Sequence, residues 1–310
     1  MKIFNSIQDF TATAKTVVTL GTFDGVHRGH KSILDRLIQS SKNCGCESIV
    51  LTFFPHPRMV LQQNTDIRLL NTMPEKALLL ENHGIDNLII HPFNQEFSQL
   101  TAEEFVRDIL VARLNIHKII IGHDHRFGRG RTATIHDLIR YGEAYGFEVE
   151  QISPLEVNEV LVSSTKIRNA LTAGNLSTAS KYLGYTYFFT GIVVQGKQLG
   201  RTLNFPTANF KVTDDYKLIP ASGVYTVSSV ISNTTVYGMM SIGTNPTVGG
   251  TQQTIEVNYL DFNDDLYGRE LTVRIYHRLR DEVKFSSLAA LTLQLKQDRL
   301  DTIAYFKNNS

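Results

Sequence analysis

Two histidines three residues apart, His27 and His30, stand in the segment GTFDGVHRGH at residues 21–30, directly after the β-branched run TVVTL. That spacing puts both rings on one face of a helix that begins near Val26. A helix start carries free N–H groups and the positive end of the macrodipole, so it suits phosphate. Gly21, Gly25 and Gly29 let the backbone approach a ligand closely. Two imidazoles placed there can donate hydrogen bonds to a polyphosphate as charge builds during displacement. Taken alone, the pair also fits two surface histidines on an unrelated helix start.

The second half holds another set of chemistry-bearing residues. GIVVQGK at residues 191–197 nearly spells a P-loop, but Gln198 stands where Ser or Thr must ligate Mg²⁺. Sheet-like sequence follows it rather than a helix, so the P-loop reading is rejected. In GKQLGRTLNFPTANF, residues 196–210, Thr207 and Asn209 are two apart, and an extended chain points both oxygens to one side. Hard oxygen ligands of this kind suit Mg²⁺. The same residues fit a plain Pro-Thr-Ala-Asn turn between strands. Glu256 alternates with Thr254 and Asn258 against Ile255, Val257 and Tyr259, which by pattern alone is a solvated strand face. His123, Asp124 and His125 suggest a metal, yet neighbours on an extended segment need further ligands.

These residues need elements to hold them. In the first half, strand patterns at 16–20, 48–53, 87–90, 118–121 and 147–152 alternate with helical ones. Ile33, Leu34, Leu37 and Ile38 have helical spacing. Thr72–Glu75 and Thr101–Glu104 both have capping-box form, and a helix is expected at 135–145. The alternation predicts a mostly parallel, Rossmann-like sheet, whose ligands sit at the carboxyl ends of strands. From Tyr187 onward, short alternating segments broken by Gly, Pro, Asn and Asp predict an antiparallel sheet or barrel. A final helical stretch at about 286–306 is expected to pack on it. The pattern changes near Gly184, which places the domains at 1–184 and 185–310.

Composition bounds the function. The chain has 310 residues, enough for two domains, with 42% hydrophobic and 20% charged residues. Its 31 basic residues nearly cancel 30 acidic ones, which argues against nucleic acid as the main partner. Cys44 and Cys46 match neither a zinc knuckle nor a redox CxxC pair, and the expected compartment is reducing. The start, MKIFNSIQDFTATAK, has no continuous apolar core, and no apolar run approaches membrane-spanning length. The expectation is a soluble cytoplasmic protein with small-molecule partners, a monomer or weak homo-oligomer.

GTFDGVHRGH resembles the signature of the HxGH nucleotidyltransferases. TFFPHPR (52–58), IGHDHRFGRGR (121–131) and SSTKIR (163–168) are similar to segments of bacterial FMN adenylyltransferases. The resemblance implies ATP contacts at Gly21, Phe23, Asp24, Gly25 and Gly29, with His27 and His30 catalytic. It implies flavin contacts at Phe54, Pro55, His56, Pro57, Asp124 and Arg126. In the family, SSTKIR embraces the triphosphate from the opposite side; Ser164 and Thr165 would open a helix and Arg168 would clamp phosphate. His125 departs from the aromatic usual in a GxDFRFG pattern. The implied chemistry suits these residues. A phosphate monoester has a second pKa of about 6, so it attacks an α-phosphate without a general base.

GKQLGRTLNFPTANF resembles the flavokinase signature GRxLGFPTAN, with Asn204 in place of the usual glycine. This implies ATP contacts at Gly196, Lys197, Gly200 and Arg201, and Mg²⁺ held by Thr207 and Asn209. Glu256 becomes the base that a primary hydroxyl requires. RLRDEVKF (278–285) is similar to the segment bordering the flavin, which implicates Arg280 and Phe285. Nearly the whole chain resembles the bifunctional riboflavin kinase/FMN adenylyltransferases. The implied fold is a Rossmann-like domain followed by an antiparallel six-stranded flavokinase barrel with a C-terminal helix. ATP is the implied co-substrate, with riboflavin, FMN and FAD as substrates and products. The alternatives are an HxGH adenylyltransferase for another phosphate, a class I aminoacyl-tRNA synthetase relative, or a second domain that only stores or senses flavin.

Overall fold

β-Branched runs in the first half are buried on both faces, as a parallel sheet covered by helices requires. A computed structural model describes residues 1–62, 67–123, 125–152, 162–196, 200, 203–247 and 250–309. Its chain forms two compact units, Met1–Ser163 and Ser164–Ser310.

In the first unit, β1 (Lys2–Phe4), β2 (Thr16–Leu20), β3 (Glu47–Phe54), β4 (Asn87–Pro92), β5 (Ile116–Gly122) and β6 (Glu148–Ile152) form one sheet. The strand order is β1-β4-β3-β2-β5-β6, and every pairing is parallel. β2 is therefore central, and all five of its residues are buried. Alternation on the sheet separates two cores. Val17, Val50, Leu88 and Ile120 pack with Leu34 and Leu37 of α1 (Arg28–Cys44) and Leu80 of α3 (Met73–His83). Val18, Leu20, Ile49, Leu51, Ile119 and Ile121 pack on the other face with Phe105, Leu110 and Leu138.

Short helices α2 (Pro57–Leu61), α4 (Gln95–Ser98) and α5 (Ala102–Glu104) lie in the connections, and α6 (Ile135–Tyr145) precedes β6. Both expected capping boxes form: Thr72 and Thr101 each exchange bonds with the Glu three residues on. The helix started by Thr101 continues as a π-helix over Phe105–Val111. Edge strand β1 has no sequence signal strong enough to predict it, because only three residues pair.

The second unit opens with α7 (Ser164–Thr172) and α8 (Leu176–Leu183). The change of pattern near Gly184 assigns both helices to the first domain. In the structure they group with the barrel: the Ala221 N–H donates to the Leu171 carbonyl at 3.1 Å, and Arg278 lies against Gly174. Six antiparallel strands close the barrel in the order β10-β11-β8-β7-β12-β9. They are β7 (Phe188–Val194), β8 (Ala208–Lys211), β9 (Gly223–Ile231), β10 (Thr234–Thr247), β11 (Gly250–Tyr259) and β12 (Glu270–Arg280).

Helix α9 (Leu288–Asn308) is pinned to the barrel by charge as well as by apolar contact. Asp298, 1% exposed, receives both arms of the Arg280 guanidinium at 2.8 and 2.7 Å. Removing one partner of a buried pair strands the other charge, which typically costs about 3 kcal/mol or more. Asp298→Ala should therefore lower stability by about 3 kcal/mol in urea denaturation. A loss below about 1 kcal/mol would show that α9 is held by its apolar face alone.

Candidate active sites in the two units

The chain leaves β2 and reaches α1 through a turn in which Phe23, Gly25 and Val26 have φ of 44, 89 and 35°. For phenylalanine and valine this region costs about 1–3 kcal/mol each and persists only where surroundings impose it. Both side chains are buried in the core under α1, at 3% and 1% exposure. Three bonds fix the turn from outside. Thr52 of β3 and Lys76 of α3 both donate to the Thr22 carbonyl, at 3.3 and 2.7 Å. The Asp24 carboxylate, itself buried, accepts from the Leu70 N–H at 2.8 Å. Burial pulls the Lys76 ammonium down to about 8, with Asp24 opposing.

The helix begins at Arg28 rather than near Val26, and His27 is its cap: its Nδ1 accepts from the His30 N–H at 3.3 Å. A neutral His27 then carries its proton on Nε2. The two rings stack with centroids 3.6 Å apart and planes 14° from parallel, and Phe23 lies beside His30. Burial holds His27 down to about 4, although Asp24 raises it. His30 is pushed well below its usual value by burial, with His27 and Lys76 adding to the effect. Both imidazoles are therefore neutral at physiological pH. His30 Nδ1 is buried with no partner among the described residues.

β3 and β5 flank β2, so the segments after all three emerge together at the carboxyl edge of the sheet. After β3, Phe54–Pro55 is a cis peptide, and His56 caps α2 by accepting from the Arg58 N–H at 3.1 Å ahead of Pro57. After β5, Arg126 is exposed and the His125 ring lies parallel to buried Phe127, which bridges to Ala133. Asp124 lies outside the described residues. Ser164, Thr165 and Arg168 stand on the first two turns of α7, in the second unit.

In the barrel, Glu256 of β11 is the register partner of Asn209 on β8. The Thr207 hydroxyl donates to Glu256 Oε2 at 3.1 Å. A hydroxyl, a carboxamide and a carboxylate thus converge, and that all-oxygen donor set fits a hard cation such as Mg²⁺. A Cβ on Gly196 would overlap the end of the Asn209 side chain, so glycine there leaves room for that carboxamide beside Glu256. The Gly200 carbonyl accepts from the Leu203 and Phe205 N–H groups at 3.1 and 2.8 Å, leaving Asn204 between them at φ 61°. Asparagine tolerates that region better than most residues, which accounts for its standing where glycine is usual. Lys197 and Arg201 lie outside the described residues. Arg280 is committed to Asp298, with its guanidinium 5.7 Å from the Phe285 ring.

The FAD synthetase family pattern matches residues 9–166, and the riboflavin kinase pattern matches residues 183–306. The chain is 38% identical to the bifunctional riboflavin kinase/FMN adenylyltransferase of Listeria monocytogenes, covering 94% of this chain and 92% of that one. It is 35% identical to the protein of the same description from Escherichia coli, at 99% and 98% coverage. This chain belongs to the bifunctional riboflavin kinase/FMN adenylyltransferases. A solved structure from Streptococcus pneumoniae, described as a macrolide-efflux protein, superposes with a TM-score of 0.88 at 33% identity, covering 97% of both chains. No helix among the described residues is long and apolar enough to cross a membrane.

Within the family frame, three residues escape sequence reasoning. Lys76 reads as the polar start of an apolar helix, Thr52 as a strand residue, and Asn258 as a solvated position. Asn258 is in fact 5% exposed and donates through Nδ2 to the Pro206 carbonyl at 2.7 Å, fixing the residue before Thr207. Only a buried polar residue inside an apolar segment hinted at any of them.

His27 also links the site to stability. The unfolded chain titrates it near 6.5 and the folded one near 4, so acid protonates the unfolded state first. Its contribution is complete above pH 6.5 and is lost as pH falls toward 4, a total of about 3 kcal/mol. Asparagine is an equally good cap that does not titrate. Urea denaturation at pH 7.5 and 5 should therefore show a shallower pH dependence for His27→Asn than for the natural protein. Parallel curves would contradict the buried neutral assignment.

Proposed function

We infer that the barrel phosphorylates riboflavin with ATP and that the Rossmann-like unit then adenylylates the resulting FMN with a second ATP, releasing pyrophosphate. The observation that carries this reading is the Thr207–Glu256 hydrogen bond beside Asn209. A primary hydroxyl attacks the γ-phosphorus of ATP only as its proton leaves. Glu256 is the carboxylate that accepts it, while the Pγ–O bond to ADP breaks. Thr207 and Asn209 would hold Mg²⁺, which when bound neutralises phosphate charge. Gly196, Lys197, Gly200 and Arg201 are assigned to the phosphates of this ATP, and Phe285 to the flavin, with Arg280 holding its segment.

The first unit needs no such base. An FMN phosphate oxygen is already anionic when it attacks the α-phosphorus, and the Pα–O bond to pyrophosphate breaks. The carboxylate within the turn, Asp24, is buried against the Leu70 N–H, which suits positioning rather than proton transfer. Neutral His27 and His30 donate N–H bonds to the charge that develops, and the α1 start adds its dipole. The turn Gly21–Gly25 with Gly29 is assigned to ATP. Ser164, Thr165 and Arg168 are assigned to ATP phosphates on the resemblance of SSTKIR, and the family pattern reaching residue 166 includes the first two of them. Phe54–Pro57, Asp124 and Arg126 are assigned to the flavin, supported by the adjacency of the β2, β3 and β5 ends. Functionally the boundary falls near Gly184, where the riboflavin kinase pattern begins at residue 183. Near-equal charge, 31 against 30, supports small-molecule partners over nucleic acid; the accompanying reading is a cytoplasmic monomer or weak homo-oligomer.

Incubation with riboflavin, ATP and Mg²⁺, followed by chromatography, should yield FMN and then FAD. Absence of FMN overturns the kinase half; FMN without FAD overturns the transferase half. His30→Ala should cut FAD formation by about 10²-fold or more and leave FMN formation intact. Glu256→Ala should cut FMN formation by about 10²–10⁴-fold while supplied FMN still becomes FAD. Loss of both activities in either variant would contradict separate sites.

A further inference from the structure

The amino-terminal edge of the first sheet, opposite the nucleotide end, brings together the chain's two cysteines and a histidine. Helix α1 ends at Cys44, Gly45 reverses the chain at φ 64°, and Cys46 leads into β3. A Cβ on Gly45 would meet nothing within 4 Å, so its backbone conformation alone calls for glycine there. His117 is the second residue of β5, and α1 packs across β2, β3 and β5. One ligand atom each from Cys44, Cys46 and His117 all lie within 4.8 Å of one another. Cys44 is exposed and the other two are half-buried, so solvent reaches the cluster. The two sulfurs are joined as a disulfide in the structure.

Two thiolates and an imidazole are soft-to-borderline ligands that select Zn²⁺ or Cu⁺ over the hard Mg²⁺ used with ATP. Zn–S and Zn–N bonds of about 2.3 and 2.0–2.1 Å around one ion put donors within about 4 Å of each other; all three ligand atoms already lie within 4.8 Å, so once the S–S bond opens only a small separation of the two sulfurs is needed. We propose that Cys44, Cys46 and His117, once the disulfide is reduced, form a binding site for a thiophilic d¹⁰ cation, and that the disulfide closes it. Opening is a thiol–disulfide exchange with a dithiol reductant. The reductant becomes a disulfide, and the S–S bond takes up two electrons and two protons to give two thiols. The cation then displaces the two thiol protons, binds both sulfurs and a neutral His117 nitrogen, and keeps an open position for water. The pair of cysteines matches no metal spacing by itself, because the third ligand comes from a distant strand.

The test uses the full chain and Zn²⁺ alone. Protein reduced anaerobically with dithiothreitol and desalted should show two free thiols by a colorimetric assay. It should then bind one equivalent of Zn²⁺ in competition with a chromophoric chelator. The oxidised protein, Cys44→Ser and Cys46→Ser should lose this equivalent, and His117→Ala should bind it about 10-fold or more weakly. Circular dichroism and FAD formation, unchanged in all three variants, serve as fold controls. The proposal is overturned if two thiols are not released, if the reduced protein binds no Zn²⁺, if Cys44→Ser retains the equivalent, or if His117→Ala binds as the natural protein does.

Discussion

The carbonyl of Thr22 is the point on which the candidate site of the first unit depends. It lies at the start of a turn that places phenylalanine and valine in a backbone region both disfavour. Two donors from different elements, Thr52 and Lys76, converge on that one oxygen. Burial of the strained side chains under α1 supplies the rest of the constraint. The result is a fixed cap position for His27, which in turn orients His30 through its backbone N–H and through ring stacking. A buried lysine, with its ammonium drawn down to about 8, shares this pocket with two imidazoles that burial keeps neutral. Neutral rings give directional N–H donors without repelling one another, a condition that two stacked imidazolium ions would not meet.

The barrel solves a different problem with different groups. In the proposed reaction its acceptor is an alcohol, which calls for a carboxylate, whereas the phosphate acceptor proposed for the first unit calls only for donors. Glu256 reaches that position by strand register against Asn209, and Thr207 is fixed beside it through Asn258 and Pro206. Register determines this geometry: a one-residue slip would send Glu256 to the opposite face. Gly196 lies against the Asn209 side chain, and Asn204 takes the left-handed region three residues before Thr207.

The end of β12 is held by a buried ion pair at Arg280, while residues 281–284 beyond it are exposed. The family resemblance implicates Arg280 beside the flavin, and in the structure its guanidinium closes on Asp298 of the last helix. That interaction ties the end of β12 to α9. The cost of isolating either charge makes the tie strong without requiring ideal packing of the helix.

Local patterns alone determined most of the architecture. Period-two and helical spacing, capping boxes and glycine stops marked β2 to β6, α1, α3 and the switch to an antiparallel barrel, because each depends on nearby residues. The motifs likewise nominated the candidate residues of both units, since each motif is a contiguous stretch of chain. What only the tertiary structure decided are the contacts between distant segments. These include the helix starting after His27, the supports at Lys76, Thr52 and Asn258, the Arg280–Asp298 pair and the approach of His117 to Cys44 and Cys46. Each depends on which strands lie side by side and how deeply a group is buried, and neither quantity is encoded within a single window of sequence.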